Sequence, residues 1–232
     1  DEKDGVNQYV LTAVLGELMT GEDVLVPGSS GACSEVTMQA FAVKEGQRVL
    51  NSQGLGSMGF GVPASIGGCL ASGGRRTVSI EGDGGFQMNL QELETVRRLN
   101  LPIKFFVLNN GGYASIRATQ SNYFDGRFVG CGPTSGLTLP DTLKVAAGYG
   151  LATAEIRSHQ GIRERIRAVL EQPGPVVCEV KVSPNQVTAP RVTSTQRSDG
   201  TMVSAPMEDL WPFLDRAEFR SNMIIPPVEE SP

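Results

Sequence analysis

Short, nearly continuous apolar runs alternate along the chain with segments whose apolar residues recur at helical spacing. Val24-Leu25-Val26, Thr77-Val78-Ser79-Ile80, Ile103 to Leu108, Leu151 to Ile156 and Val176 to Val182 read as strands. Val6 to Met19, Ser34 to Phe41, Gly59 to Leu70, Leu90 to Leu99, Thr142 to Ala147 and Gln160 to Leu170 read as helices between them. The Gly59 segment is rich in small residues, which suits close packing on a sheet. Strands that are apolar on both faces and alternate with helices predict an α/β fold, a doubly wound parallel sheet with helices on both faces. Ligands of such sheets bind beyond the carboxyl ends of the strands. From Ser183 the composition turns to Pro, Ser, Thr and Arg. Residues 1–182 therefore read as the folded domain, and 183–232 as an extended C-terminal tail with one short helix near Pro206–Phe213. Trp211, Phe213, Leu214 and Phe219 give that tail apolar anchors, so it is expected to dock on a partner or over the active site.

Composition narrows the function. A chain of 232 residues is long enough for one large domain with a substantial core. The net charge of −5 argues against nucleic acid or an anionic membrane as partner. No apolar run approaches the roughly 18 residues that a membrane span needs. The start, Asp1-Glu2-Lys3-Asp4, does not resemble a signal peptide. Cys33, Cys69, Cys131 and Cys178 lie far apart without a CxxC pair, which suits reduced, buried thiols and a cytoplasmic location. The single histidine, His159, leaves no material for a multi-histidine metal site or a histidine-based triad.

The chemistry concentrates between Thr77 and Tyr113. One strand runs into Gly82-Asp83-Gly84-Gly85, a helix follows, and the next strand runs into Asn109-Asn110-Gly111-Gly112. In a βαβ unit with adjacent parallel strands both glycine-rich turns emerge on one edge, which brings Asp83 and Asn110 together. A carboxylate, an amide oxygen and a turn carbonyl are hard oxygen donors of the kind Mg²⁺ takes, with phosphate and water completing its octahedron. Amides after Gly84 open a helix, where a diphosphate can rest. Two ordinary Gly/Asn turns are the plainer reading of the same residues. Gly54-x-Gly56-x-x-Gly59 is also a literal dinucleotide fingerprint, with Glu81 downstream to hold a ribose. The residues before it, Val49-Leu50-Asn51-Ser52-Gln53, make a poor buried strand, and that reading leaves Asp83 and Asn110 unexplained.

Gly82-Asp83-Gly84 followed after 24 residues by Asn109-Asn110 resembles the signature of thiamine diphosphate enzymes. Gly54-Leu55-Gly56-Ser57-Met58-Gly59-Phe60-Gly61-Val62-Pro63-Ala64 resembles the segment of acetolactate synthase-like enzymes that meets the aminopyrimidine and thiazolium rings. The tail from Asp199 to Leu214 is similar to the tails of the same group. The resemblance implies thiamine diphosphate and Mg²⁺ as cofactors, with Asp83, Asn110 and the Gly112 carbonyl on the metal. It implies amides of Gly84 and Gly85 on the diphosphate, where many relatives have a serine at the second position. Gly54, Gly56, Ser57, Met58, Gly82, Tyr113 and Ala114 complete the implied cofactor contacts. Met58 and Gly56 are the implied catalytic positions: Met58 as an apolar wedge bending the cofactor, and the Gly56 carbonyl as acceptor from the 4′-amino group. A polarizable thioether suits contact with a cationic ring.

In this superfamily a glutamate on a separate pyrimidine-binding domain, normally in the neighbouring subunit, sets the imino tautomer of the cofactor. Nothing in this chain resembles that domain, and Glu81, Glu92 and Glu94 read as solvated or structural. The resemblance thus implies the diphosphate- and Mg²⁺-binding half of a 2-oxoacid decarboxylase or carboligase, in a hetero- or homo-oligomer whose partner supplies the glutamate. The implied substrate is a small 2-oxo acid or acyloin-type compound. A cofactor-binding regulatory module and a β-type subunit of a 2-oxoacid oxidoreductase are the alternatives. Two origins fit: a separately encoded diphosphate subunit, as in sulfopyruvate decarboxylase, or a split portion of a larger synthase-like architecture, which the start near Val6 and the synthase-like tail favour. The stretch Tyr113 to Gln120 reads as a loop facing substrate, with Arg117 either a carboxylate ligand or an exposed helix arginine. True acetolactate synthases place a tryptophan there, whereas the one tryptophan here is Trp211.

Overall fold

The computed structural model describes residues 5–28, 31–197 and 199–226. The acidic start Asp1–Asp4 and the Pro227–Pro232 end of the tail, both read above, lie outside the described residues. The strands are β1 (Val24–Pro27), β2 (Arg48–Val49), β3 (Thr77–Gly82), β4 (Ile103–Asn109), β5 (Ala152–Ile156) and β6 (Val176–Lys181). They form a six-stranded sheet in the order β2-β1-β3-β4-β6-β5, every pairing parallel. The helices are α1 (Gln8–Leu18), α2 (Glu35–Ala40), α3 (Gly61–Ala71), α4 (Asp83–Phe86), α5 (Glu92–Arg98), α6 (Ala114–Tyr123), α7 (Thr142–Gly148) and α8 (Ile162–Glu171).

Alternation along β4 shows why the central strands are apolar throughout. Ile103, Phe105 and Val107 join Phe86, Leu93, Val96 and Ala146 in one core. Phe106 and Leu108 point to the other face, with Leu11, Leu15, Ile166 and Val169. Both faces are covered by helices, so no position in the strand centre tolerates a solvated side chain. The small residues of α3 work as the sequence suggests. Gly61, Ser65, Gly68 and Cys69 are buried, and a Cβ on Gly68 would come within 2.7 Å of the Leu50 side chain. Glycine there lets the Leu50 side chain fill the space beside α3.

The contacts divide the chain between Gln186 and Val187 rather than after residue 182. Residues just past β6 remain tied to the first unit by side-chain bonds. Gln8 N–H donates to Gln186 Oε1 (3.0 Å), and Arg117 donates to the Pro184 carbonyl (3.1 Å). Taken by itself, the second unit holds an antiparallel pair, β7 (Ser194–Gln196) with β8 (Met202–Ser204), and one helix, α9 (Arg216–Asn222). The helix expected near Pro206–Phe213 does not form. Pro206 and Pro212 have no N–H to give a helix, and the Trp211 N–H instead pairs with the Arg191 carbonyl (2.8 Å) in a strand-like bridge. The helix begins after Asp215, whose carboxylate accepts from the N–H groups of Ala217 and Glu218. A second difference lies at Tyr113–Gln120, expected as a loop, where helix α6 starts at Ala114.

Among the described residues no helix is long and apolar enough to cross a membrane. All four cysteines are buried. His159 is structural: its Nε2 accepts the Asn7 N–H at 2.8 Å. At the amino end of β4, Lys104 is 1% exposed and donates its ammonium to the carbonyls of Gln172 and Gly174, in the turn before β6. Burial, helped by the nearby Arg76 charge, pulls its pKa down to about 8. Lys104→Met keeps the apolar stem and strands both carbonyls. The unfolding free energy should fall by about 1–3 kcal/mol, read as a lower urea midpoint at unchanged slope. An unshifted midpoint would mean that water satisfies those carbonyls.

Candidate functional site

β3 and β4 run in register from Thr77↔Ile103 to Gly82↔Leu108, so the turns that follow them leave the same carboxyl edge side by side. Asp83 opens α4 and is 2% exposed. Its Oδ1 accepts the Gly84 N–H (2.8 Å), and its Oδ2 accepts the N–H groups of Gly111 (2.9 Å) and Gly112 (3.0 Å). One carboxylate therefore organises its own turn and the turn of the next strand. Burial lifts its pKa to about 6, opposed by the amides of Gly112, Gly84, Gly111 and Asn110. A cation beside it would offset that desolvation and keep it ionised.

The two asparagines after β4 have separate fates. Asn109 is spent on structure: its Nδ2 donates to Glu179 Oε2 (2.9 Å) and its Oδ1 accepts the Gly111 N–H (3.1 Å). Asn110 Oδ1 is buried and has no hydrogen-bond partner. An unpaired amide oxygen away from water costs about 1–3 kcal/mol, so its placement next to the Asp83-bound turn calls for an electropositive partner. Among the described residues no cluster of three or more His, Cys, Asp or Glu side chains forms. The donors at these two turns are instead a carboxylate and an amide oxygen. That hard, oxygen-only set fits Mg²⁺ and not zinc.

Glycine is required at three points around these donors. A Cβ on Gly84 would lie 2.1 Å from the Tyr113 ring, so the ring packs directly on the α4 turn. Gly112 has φ +144°, and a Cβ there would lie 2.4 Å from the Cys131 carbonyl, which accepts the Tyr113 N–H (3.0 Å). The Gly84 amide, expected on a diphosphate, is already given to Asp83. Gly85, in the same first turn, has an N–H without an intrahelical partner by its position. Gly61 shows the third constraint. Its Cβ would fall 1.2 Å from Glu81 Oε1, and a Cβ on Gly28 would fall 2.6 Å from Oε2. Glu81 is fully buried, its Oε2 has no partner, and burial raises its pKa to about 8. It is walled in by glycines and cannot reach a ribose. Glu94 is exposed and pairs with Arg97, while Glu92 is half-buried.

The upstream turn has no regular structure. Gly56 takes φ +59° and Gly59 φ +83°, and the Leu55 and Gly56 N–H groups both donate to the Ser52 carbonyl. Met58 is half-buried, Ser57 is exposed, and a Cβ on Gly54 would meet nothing within 4 Å. Asn89 Nδ2 donates to the Gly59 carbonyl (2.7 Å), a contact the sequence reading missed. Gly82, Asp83, Gly84, Gly85, Asn110, Gly112, Tyr113 and Ala114 thus gather at the ends of β3 and β4. Gly54, Gly56, Ser57 and Met58 sit on a separate turn joined to that group through Asn89. An apolar groove of about 530 Å³ beside α3, lined by Val49, Leu50, Phe60, Ala64 and Ala71, includes none of them.

Comparison with known proteins places the same residues in a family frame. Residues 29–180 match the model described as "Thiamine pyrophosphate enzyme, C-terminal TPP binding domain". Acetolactate synthase 2, chloroplastic, of Brassica napus is 34% identical over 77% of this chain and 28% of its own. Acetolactate synthase 2, chloroplastic, of Zea mays is 32% identical over 81% of this chain and 30% of its own. The acetolactate synthase large subunit of Pyropia yezoensis is 34% identical over 62% of this chain and 24% of its own. The chain spans less than a third of the length of these curated relatives.

Asp83→Ala removes the acceptor of three N–H groups in two turns. Amide exchange at Gly111 and Gly112 should then speed up by at least about tenfold, on the cost of losing one buried hydrogen bond. Exchange at Phe105 and Phe106, inside β4, should not change. Unaltered protection at the two glycines would show that Asp83 does not hold the second turn.

Proposed function

Because the chain belongs to the thiamine pyrophosphate enzymes as their C-terminal TPP-binding domain, we propose that it is the diphosphate- and Mg²⁺-binding half of a 2-oxoacid decarboxylase or carboligase. The observation that carries this reading is the buried, unpartnered Asn110 Oδ1 beside an Asp83 carboxylate already fixed by three amides. Asp83 and Asn110 hold the metal through side chains, and Gly112 contributes its carbonyl. The amide of Gly85 faces the diphosphate, whereas the Gly84 amide braces Asp83. Gly56 and Met58, on the upstream turn, meet the rings, with Gly54 and Ser57 flanking them and Tyr113 and Ala114 closing the opposite side. When bound, thiamine diphosphate supplies the carbon nucleophile that cleaves or joins bonds next to a carbonyl. The protein residues bind, orient and exclude water around it.

A pyrimidine-binding domain elsewhere completes this half and brings the activating glutamate. Glu81 does not serve, being enclosed by Gly28 and Gly61 on the protein side of the turn. The Val187–Pro232 unit, with Trp211, Phe213, Ile224 and Ile225 exposed, is the segment we assign to docking on that partner or over the site. The substrate is a small 2-oxo acid or acyloin-type compound. Arg117 is already engaged by the Pro184 carbonyl, which favours a structural role for it over substrate binding. Four buried cysteines without a disulfide suit the cytoplasm, although the plant relatives are named chloroplastic.

Calorimetric titration of thiamine diphosphate, with Mg²⁺ and with EDTA, tests the reading. Wild type should bind with Mg²⁺ and lose the cofactor on chelation, and Asn110→Ala should remove the Mg²⁺-dependent part of the affinity. Undiminished affinity in Asn110→Ala would sink the metal assignment. Native mass spectrometry of the particle from its source should show a second polypeptide or domain with cofactor bound. In that complete particle, Met58→Ala should lower turnover more than cofactor affinity.

A further inference from the structure

Two turns make up the proposed site, and one side chain joins them. The turn from Ser52 to Phe60 is loosely held on its outer side: Leu55 is 89% exposed, and Gly54 has open space where a Cβ would be. Inside, it is braced by its own N–H groups on the Ser52 carbonyl. At its entry Gln53 pairs with Ser34. At its exit the Gly59 carbonyl accepts the Asn89 Nδ2 at 2.7 Å.

Asn89 is well placed to act as that anchor. Its Oδ1 accepts from Gln91 Nε2 (3.0 Å), which orients the amide with its nitrogen towards Gly59. It ends the 3₁₀ turn Gln87–Asn89, which continues α4 without a break from Asp83. Gln87 Nε2 in turn donates to the Asp83 carbonyl (3.2 Å). The fit on the other side is tight. Gly59 is buried with φ +83°, and a Cβ there would lie 2.8 Å from Asn89 Nδ2 and 3.0 Å from Met88 Cβ. Two residues further on, Glu81 fills the space against Gly61 and fixes the start of α3.

We propose that Asn89 is a positioning residue that transmits the placement of the Asp83 turn to Gly56 and Met58, so that the ring-facing turn keeps a fixed distance and tilt from the diphosphate-facing one. This rests on the function proposed above. Asn89 touches neither cofactor nor substrate. It acts through the Gly59 carbonyl, one residue from Met58. Its loss leaves the metal and diphosphate donors intact and lets the upstream turn wander.

The test separates the two halves of the ligand. Full-length wild type, Asn89→Ala and the near-isosteric Asn89→Leu are titrated in Mg²⁺ with thiamine diphosphate and, separately, with inorganic diphosphate. Both variants should bind thiamine diphosphate about tenfold more weakly, the scale of one lost hydrogen bond that leaves a carbonyl unpaired. Inorganic diphosphate should bind within about twofold of wild type. In the ligand-free chain, amide exchange should rise across Gly56–Phe60 and stay constant at Gly84–Phe86. Parallel weakening of both ligands, or no change in either, would overturn the positioning role. Wild type that fails to bind Mg²⁺ with inorganic diphosphate would instead overturn the proposed function, and this inference with it. Wild type that binds both ligands equally tightly would leave the upstream turn without ring contacts, overturning the inference and the ring-facing role of Gly56 and Met58 while the metal and diphosphate assignment stands.

Discussion

The Asp83 carboxylate is the constraint on which the site depends. It is buried at the end of one strand and receives N–H groups from the turn after the next. The turns after β3 and β4 are thereby one structure, though 24 residues separate Gly84 from Asn109 in the chain. A buried carboxylate is costly, and three amides repay only part of that cost, which is why its pKa stays raised to about 6. The unpartnered Asn110 oxygen in the neighbouring turn is a second buried polar atom whose desolvation is not offset among the described residues. Beneath them the sheet is apolar on both faces.

Most of the architecture was legible because it follows from periodicity. Strands buried on both faces read as continuous apolar runs, and β1, β3, β4 and β6 lie where those runs occur, while the edge strand β5 is only partly buried. The two-residue β2 was not legible: Arg48 and Val49 carry no pattern, and they pair only because β1 offers an open edge. Helix α6 was read as a loop because none of its residues is buried, so it has no apolar stripe to announce it. The tail helix lies later than Pro206–Phe213 because two prolines interrupt that stretch and Asp215 supplies the cap for Arg216–Asn222.

For the site, residue types and spacing pointed to Asp83 and Asn110, and the resemblance added the upstream turn. What could not be read is how the polar atoms are shared. Asn109 and Asn110 look equivalent in sequence, yet one is consumed by Glu179 and Gly111 and the other is left over. The Gly84 amide was expected to face a ligand and instead braces Asp83. Glu81 read as either solvated or structural, and only the glycines opposite it, Gly28 and Gly61, show that it is enclosed. A pair of glycines far apart in sequence, each lying against one carboxylate, leaves no local signal.

Helix α6 begins directly after Tyr113, whose ring rests on Gly84, and contributes no buried side chain to either core. Its first turn is therefore pinned beside the turn that carries Asp83, while none of its side chains is buried. Apart from Arg117, held by the Pro184 carbonyl, and Gln120, which exchanges hydrogen bonds with the Val129 backbone, side chains along it can be exchanged at little cost to folding, since surface substitutions rarely move stability by more than about 0.5 kcal/mol. Substitutions on α6 can therefore accumulate one residue at a time without reopening the turns that Asp83 ties together.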